Sequence, residues 1–329
     1  MQQTSPDNLQ KQIYDVATDE LDALNRCIVA ELHSDVGMVE EIGHYIVNAG
    51  GKRLRPLLAL LSAKCCGYEG DAHIKLAAII EFLHTATLLH DDVVDVSDLR
   101  RGRETVNARW GNAPSVLVGD FIYTRSFQLM VGLGDMQIMQ ILAKASNLLA
   151  EGEVMQLARA GDATTSEAQY FEVIKRKTGT LFEAASHTAA VLAGATSEQE
   201  EALQDFGAHL GMAYQLVDDV LDYKGNEEQM GKSLGDDLAE GKPTLPLIYT
   251  MKMGNTEDAK LIDSAIRDGD FKDLQQIIDA VTRSGGIDYT KKKAFEQRDI
   301  AMQAMVPFEE SAYKTALLNL AEFSVSRVY

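Results

Sequence analysis

Three carboxylates stand within five residues in Leu88-Leu89-His90-Asp91-Asp92-Val93-Val94-Asp95, and two arginines follow in Arg100-Arg101-Gly102. On a helix, residues one and four apart are neighbours, so Asp91, Asp92 and Asp95 share about 100° of the circumference. Like charges held so close repel one another. A cation between them is the natural remedy, and all-oxygen ligation points to Mg²⁺ rather than zinc. The pattern recurs as Asp218-Asp219-Val220-Leu221-Asp222, preceded by Leu216 and Val217. A purely solvated helix face would leave Leu88, Leu89, Val93 and Val94 in water as well. The expectation is therefore two facing helices that present two carboxylate sets to a shared metal and anion site.

Cations for such an anion are spread through the chain. Gly50-Gly51-Lys52-Arg53-Leu54-Arg55-Pro56 puts three of them in four residues at an expected helix start, with Pro56 suited to the first helical position. Glycine lets the backbone approach, Arg55 can fork onto phosphate oxygens, and a helix N-terminus adds its positive end. His84 lies two turns before Asp91 on the same face. Arg100 and Arg101 follow the first carboxylates, where a metal-bound diphosphate would still carry charge. Lys177 and Thr178 lie in a further basic run, and Gln215 precedes the second carboxylates by three residues. Gly231-Lys232-Ser233 and Gly241-Lys242-Pro243-Thr244 invite a nucleotide-binding reading that fails on spacing, since Asn226 stands where a Walker loop needs glycine. A lysine-bearing lid beside the second aspartates fits this loop better.

The elements that must position these residues read as helices nearly everywhere, and strict alternation of β-branched residues is absent. The fold class is all-α, a large helical bundle. Leu203, Phe206, Leu210, Ala213, Val217 and Val220 recur at spacings of three and four, behind an apparent capping box of Ser197 and Glu200. Ser166 with Gln169 opens another helix, running towards Lys177. Glycine and proline clusters punctuate the rest, and no linker divides the chain, so residues 1–329 read as one domain.

Composition narrows the partners. Of 329 residues, 46% are hydrophobic and 25% charged, enough apolar surface for a sizeable core. Thirty-one basic against 50 acidic residues leave a net charge of -19, which argues against nonspecific nucleic-acid binding or attachment to an anionic membrane. No apolar run is expected to reach a membrane span, and Met1 to Glu20 lacks the apolar core of a secretory signal. Cys27, Cys65 and Cys66 are odd in number and lack metal-ligand spacing, so a reducing cytoplasm is expected.

Taken in order, Gly-Gly-Lys-Arg-Leu-Arg-Pro, the first aspartate motif with Arg-Arg-Gly after it, Lys177-Thr178, Tyr214-Gln215 before the second motif, and Gly-Lys-Pro-Thr-Leu-Pro resemble the trans-isoprenyl diphosphate synthases. The resemblance covers nearly the whole chain and is strongest to the bacterial enzymes that make quinone side chains with octaprenyl products. It implies an isoprenoid synthase fold, a homodimer, and helices surrounding a central cavity. It implies Mg²⁺ on Asp91 and Asp95, with Asp92 nearby, and on Asp218 with Asp219 and Asp222. Lys52, Arg55, His84 and Arg101 would hold isopentenyl diphosphate. Arg100, Lys177 with Thr178, Gln215 and Lys232 would contact the allylic diphosphate, and Lys242 joins this cationic set. Short-chain members carry aromatic side chains one turn before the first motif, where this chain has the small Ala86 and Thr87, so a long product is implied. A metal-dependent phosphohydrolase would need further histidine ligands, and a terpene cyclase would not need Lys52 to Arg55. A noncatalytic synthase subunit would tolerate loss of an aspartate motif, yet both are intact.

Overall fold

A computed structural model of the chain describes residues 6–48, 50–224, 235–268 and 274–327. Helices α1 (Pro6–Val16), α2 (Thr18–Glu31) and α3 (Gly37–Asn48) lead into α4 (Leu54–Cys65) and α5 (Ala72–Val94). A two-residue hairpin, Leu99–Arg100 against Arg103–Glu104, is the only β-structure among the described residues. There follow α6 (Val106–Trp110), α7 (Asn112–Leu133), α8 (Met136–Arg159) and α9 (Glu167–Ile174). A π-helical turn over Lys175–Gly179 joins α9 directly to α10 (Thr180–Ala193). The remainder comprises α11 (Ser197–Lys224), α12 (Asp236–Ala239), α13 (Leu245–Met253), α14 (Thr256–Asp268), α15 (Leu274–Ser284), α16 (Gly286–Ala304) and α17 (Ala312–Ser326). The all-α expectation holds.

The axis of the bundle is α11, whose apolar stripe enters all three hydrophobic clusters. Leu203, Phe206 and Leu210 belong to one, Ala213, Leu216 and Val217 to the second, and Val220 with Tyr223 to the third. Each large side chain so buried contributes about 1.5–3 kcal/mol relative to exposure. The helix packs on α10 on one side and α16 on the other. Glycine sets the first of these approaches: a Cβ on Gly211 would sit 2.8 Å from Gly179 Cα, and one on Gly207 2.5 Å from the Phe182 carbonyl oxygen. The N-terminal cap lies one residue earlier than the sequence reading placed it. Thr196 Oγ1 accepts from Gln199 N while Gln199 Oε1 accepts from Thr196 N, so the reciprocal pair is Thr196 and Gln199 rather than Ser197 and Glu200. The Ser166–Gln169 box is present as expected.

Two further expectations change. Helix α4 begins at Leu54, so Pro56 is its third residue, still within the first turn where no amide donor is lost to the helix. Helix α5 is long and apolar enough to satisfy a membrane-span criterion, contrary to the sequence reading. Its apolar surface is instead spent on the protein: Leu76, Ile79, Ile80, Leu83 and Leu89 are all buried, as is Glu81. This core helix packs against α7 and α4 and carries the first aspartate motif at its C-terminal end.

Candidate active site

A cavity of about 1160 Å³ opens between α4, α5, α8, α11 and α17. Asp91 and Asp95 reach it from α5, and Asp218 and Asp222 from α11. Each pair is four residues apart, the spacing that stacks two side chains on one helix face. The intervening Asp92 and Asp219, expected to join the metal set, are buried and do not line this cavity. Asp92 is 2% exposed, and its Oδ1 accepts from Arg100 Nε at 2.8 Å and lies 2.6 Å from a terminal guanidinium nitrogen of the same arginine. It anchors Arg100 at the cavity wall. Asp219 is also buried, accepting from Tyr170 Oη at 2.5 Å and Gln215 Nε2 at 2.8 Å. Burial, then repulsion from Asp237, lifts its carboxyl well above the usual range. The Gln215 amide oxygen in turn accepts from Thr178 Oγ1 at 2.8 Å, tying the π-turn to α11.

Internal cations meet three of the carboxylates that face the cavity, Asp91, Asp95 and Asp218. The π-turn delivers Lys177, whose Nζ lies 3.9 Å from Asp91 Oδ2 and donates to Glu153 at 2.6 Å and Gln156 at 2.8 Å. Burial pushes the Glu153 carboxyl up to about 7 against the pull of Lys177, with Asp91 and Asp95 adding to the rise. Burial likewise raises Asp91, partly offset by Lys177. Lys242 pairs with Asp95 at 3.2 Å and with Glu240. Despite its burial, Asp237, Glu240 and Asp95 hold it above the ordinary lysine range. Arg327, at the end of α17, binds Asp218 at 2.8 Å and stacks over the Tyr214 ring at 4.0 Å.

A second set of cations lines the same cavity. Arg55 is buried over the Phe182 ring at 4.5 Å, with a terminal nitrogen 3.2 Å from His84 Nε2. Its Nε has no partner. Burial, then Arg55 and Arg101, keeps His84 well below its usual pKa and hence neutral, with Nε2 free to accept from Arg55. Burial and neighbouring Arg327 also depress Lys52, which lies 5.3 Å over the Phe323 ring. Arg101 adopts a left-handed backbone (φ 54°) and donates to the Gly50 carbonyl. Gly51 makes that approach possible, because its φ is 145° and a Cβ there would overlap the guanidinium. Arg53 is neutralised by Glu81. Concentrated cations whose charged forms are depressed by burial, with a buried donor left unpaired, make a site for a multiply charged anion.

Among the described residues, no three acidic, histidine or cysteine side chains converge closely enough to close around one ion. The two aspartate sets face each other across the cavity instead of touching. That arrangement suits Mg²⁺, which takes one or two carboxylates and completes its shell with substrate phosphates and water. Asp91, Asp95, Asp218 and Asp222 offer such hard oxygen donors, and cations already stand against three of them, the ammonium groups of Lys177 and Lys242 near Asp91 and Asp95 and the Arg327 guanidinium on Asp218. Thr87 lines the cavity, with its hydroxyl bonded to the His84 carbonyl at 2.8 Å, whereas Ala86 is buried in the core beside it. Lys232 lies outside the described residues. Glu153, Gln156, Tyr170 and Arg327 were not anticipated. A polar pair three apart on α8 was readable as a common face, but nothing in the sequence connects Arg327 to Asp218 across 109 residues.

A helical shell around one cavity, lined by two aspartate pairs and by Lys52, Arg55, Arg100, Arg101 and Lys177, suits an enzyme that handles diphosphate esters. The chain belongs to the polyprenyl synthetase family, whose model matches residues 36–283; it is a prenyltransferase with the isoprenoid synthase fold. It is 48% identical to the octaprenyl diphosphate synthase of Escherichia coli (strain K12), over 97% of this chain and 99% of that one. The octaprenyl diphosphate synthase of Haemophilus influenzae is 51% identical over 99% and 98% of the two chains. Among solved structures, a polyprenyl synthase from Caulobacter crescentus CB15, complexed with calcium and isoprenyl diphosphate, matches with a TM-score of 0.94. That match has 43% identity and covers 97% of this chain and 98% of the other. A decaprenyl diphosphate synthase from Rhodobacter capsulatus matches at 0.92, with 40% identity and coverage of 97% and 99%.

Proposed function

We propose that this chain is a long-chain all-trans-polyprenyl diphosphate synthase, which condenses isopentenyl diphosphate head-to-tail onto an allylic diphosphate such as farnesyl diphosphate. Octaprenyl diphosphate for quinone side chains is the product, in line with the names of the relatives of about 50% identity. The observation that carries the reading is one cavity lined by two aspartate pairs and by two sets of cations, Arg100, Lys177 and Lys242 around Asp91 and Lys52, Arg55 and Arg101 beyond them. Two diphosphates can then lie with their reacting carbons towards each other. Lys52, Arg55, His84 and Arg101 take isopentenyl diphosphate. Arg100, Lys177, Thr178, Gln215 and Lys232 serve the allylic diphosphate, Lys242 holds Asp95 in place, and the small Thr87 leaves the tail's path open, with Ala86 behind it in the core.

Asp91, Asp95 and Asp218, with Asp222, would hold Mg²⁺, and Asp92 and Asp219 orient the groups beside them. Bound Mg²⁺ supplies Lewis-acid neutralisation of the leaving diphosphate. As the allylic carbon–oxygen bond breaks, charge grows on the leaving oxygens, where Lys177 and Arg100 are already fixed by Glu153, Gln156 and Asp92. The double bond of isopentenyl diphosphate attacks the allylic cation, a new carbon–carbon bond forms, and the departing diphosphate takes the proton whose loss finishes the step. No protein base is needed. The apolar wall of Leu54, Leu149, Val173 and Leu181 keeps water from the cation.

Residues 1–329 act as one domain, a reading supported by the passage of α11 through all three clusters. The enzyme works as a homodimer in the cytoplasm and passes its lipid product to membrane enzymes. The exposed Leu117 and Val131 of α7 and Met136, Val154 and Leu157 of α8 support a second copy as the partner of that face. The direct test is incubation with farnesyl diphosphate, isopentenyl diphosphate and Mg²⁺, then chromatography of the dephosphorylated products. Octaprenyl alcohol is expected. Diphosphate release without isopentenyl diphosphate, or a hydrocarbon product, would overturn the proposal, and a shorter alcohol would overturn the octaprenyl assignment.

A further inference from the structure

Each cavity-facing aspartate that pairs with an internal cation does so differently. Lys177 is held by Glu153 and Gln156 as well as by its proximity to Asp91, and Lys242 by Glu240 as well as by Asp95. Among the described residues Arg327 meets no carboxylate besides Asp218: its other contacts are the Tyr214 carbonyl at 3.3 Å and the Tyr214 ring. Its Nε is buried and without a hydrogen-bond partner. The helix that carries it, α17, packs on α4, and α4 and its leading turn carry Arg55 and Lys52. Lys52 senses both members of the pair, being pushed down by Arg327 and up by Asp218 after the larger effect of burial. Arg327 therefore stands between the second aspartate motif and the cations of Lys52 and Arg55.

We propose that Arg327 and a divalent cation compete for Asp218, so that metal loading hands the guanidinium over to the anion held by Lys52 and Arg55. The inference rests on the metal and acceptor assignments above. In the metal-free enzyme the pair neutralises Asp218 and withholds a cation from the acceptor end. A divalent ion brings twice the charge to the same carboxylate and displaces the guanidinium. The side chain still has its aromatic platform on Tyr214, and the nearest new acceptor is a diphosphate, onto whose oxygens a guanidinium can fork. Metal binding at the second aspartate motif and acceptor binding then strengthen each other. Linkage requires the factor to be the same in both directions. A prenyl synthase built this way takes its acceptor tightly only after the site that ionises the donor has been loaded.

The test is made on the full-length, substrate-free enzyme, with Mn²⁺ binding measured by calorimetry. Removal of the competitor in R327Q should tighten the Asp218-dependent Mn²⁺ site roughly tenfold, the effect of about 1.4 kcal/mol. R327K, which keeps a charge but not the fork, should fall between. In wild type, the dissociation constant for isopentenyl diphosphate, measured without an allylic primer so that no turnover occurs, should drop several-fold when metal is added. In R327Q this metal effect should shrink towards onefold. Unchanged or weaker Mn²⁺ binding in R327Q, or in R327K should R327Q lose its far-ultraviolet helix signal, overturns the proposal. If wild type makes polyprenyl product while those affinities stay put, only the competition is wrong. Mn²⁺ binding indifferent to D218N overturns the metal assignment and the competition together.

Discussion

Glu153→Gln offers a measurement that reads the electrostatics of the cavity without turnover. In the metal-free enzyme the Glu153 carboxyl is pushed from 4.5 to about 7, burial being the main cause and Asp91 and Asp95 adding to it. Between those two pH values the folded chain retains a proton that the unfolded chain has released, so wild-type stability falls as pH rises through the window. The full penalty above pH 7 is the shift multiplied by about 1.36 kcal/mol per unit, or roughly 3 kcal/mol. The side chain is 27% exposed, so little of this is lost to solvent screening. Glutamine keeps an oxygen for Lys177 but cannot ionise. Thermal unfolding of both proteins in chelator-treated buffer from pH 4 to 8 should give similar midpoints at pH 4. The variant should lead by about 6 °C at pH 8, given about 2 °C per kcal/mol for a chain of this size. Curves that run parallel over the whole range, or a variant that is less stable at pH 8, would refute the reasoning.

The two members of each adjacent aspartate pair should part company. Asp91→Asn is expected to cut Mg²⁺-dependent turnover by orders of magnitude while leaving the metal-free midpoint unchanged or higher, whereas Asp92→Asn, by weakening the buried anchor of part-exposed Arg100, should destabilise the fold by about 1–3 kcal/mol; turnover and denaturant titration of the two variants decide this. Thr87→Phe puts an aromatic ring into the cavity one turn before Asp91, so chromatography of its dephosphorylated products should show mainly short prenyl alcohols with the first condensation preserved. Wild-type product length from an active Thr87→Phe enzyme would remove that residue from the tail's path.

Helical periodicity made the fold class readable, and the duplication of the aspartate run made its two motif helices stand out. The basic turn at Lys52 to Arg55 was readable as an anion site from charge density alone. Periodicity fixes angles within a helix but not the rotation of that helix about its axis relative to a cavity. That is why Asp91 and Asp92 looked equivalent until the burial of Asp92 against Arg100 separated them. Long-range partners were hidden for a related reason: Arg327 meets Asp218, Lys242 meets Asp95 and Tyr170 meets Asp219 only through tertiary packing. The cap at Thr196 slipped by a residue because Ser197-Glu200 and Thr196-Gln199 satisfy the same spacing rule, and only hydrogen bonding chooses between them.

The π-turn over Lys175–Gly179 has an arithmetical consequence. A single π-turn in an otherwise α-helical run is equivalent to one extra residue inserted into the helix. Everything before it is out of phase by about 100° with everything after it. Tyr170 on the upstream side and Phe182 on the downstream side each pack correctly only because of that phase error. A one-residue deletion anywhere in 175–179 would let the run relax into a regular helix, and one of the two faces would have to turn away from its neighbours. The position of Lys177 is thus protected by chain length as well as by side-chain chemistry, so even a substitution-tolerant position such as Lys175 should not accept a change in the number of residues in this stretch.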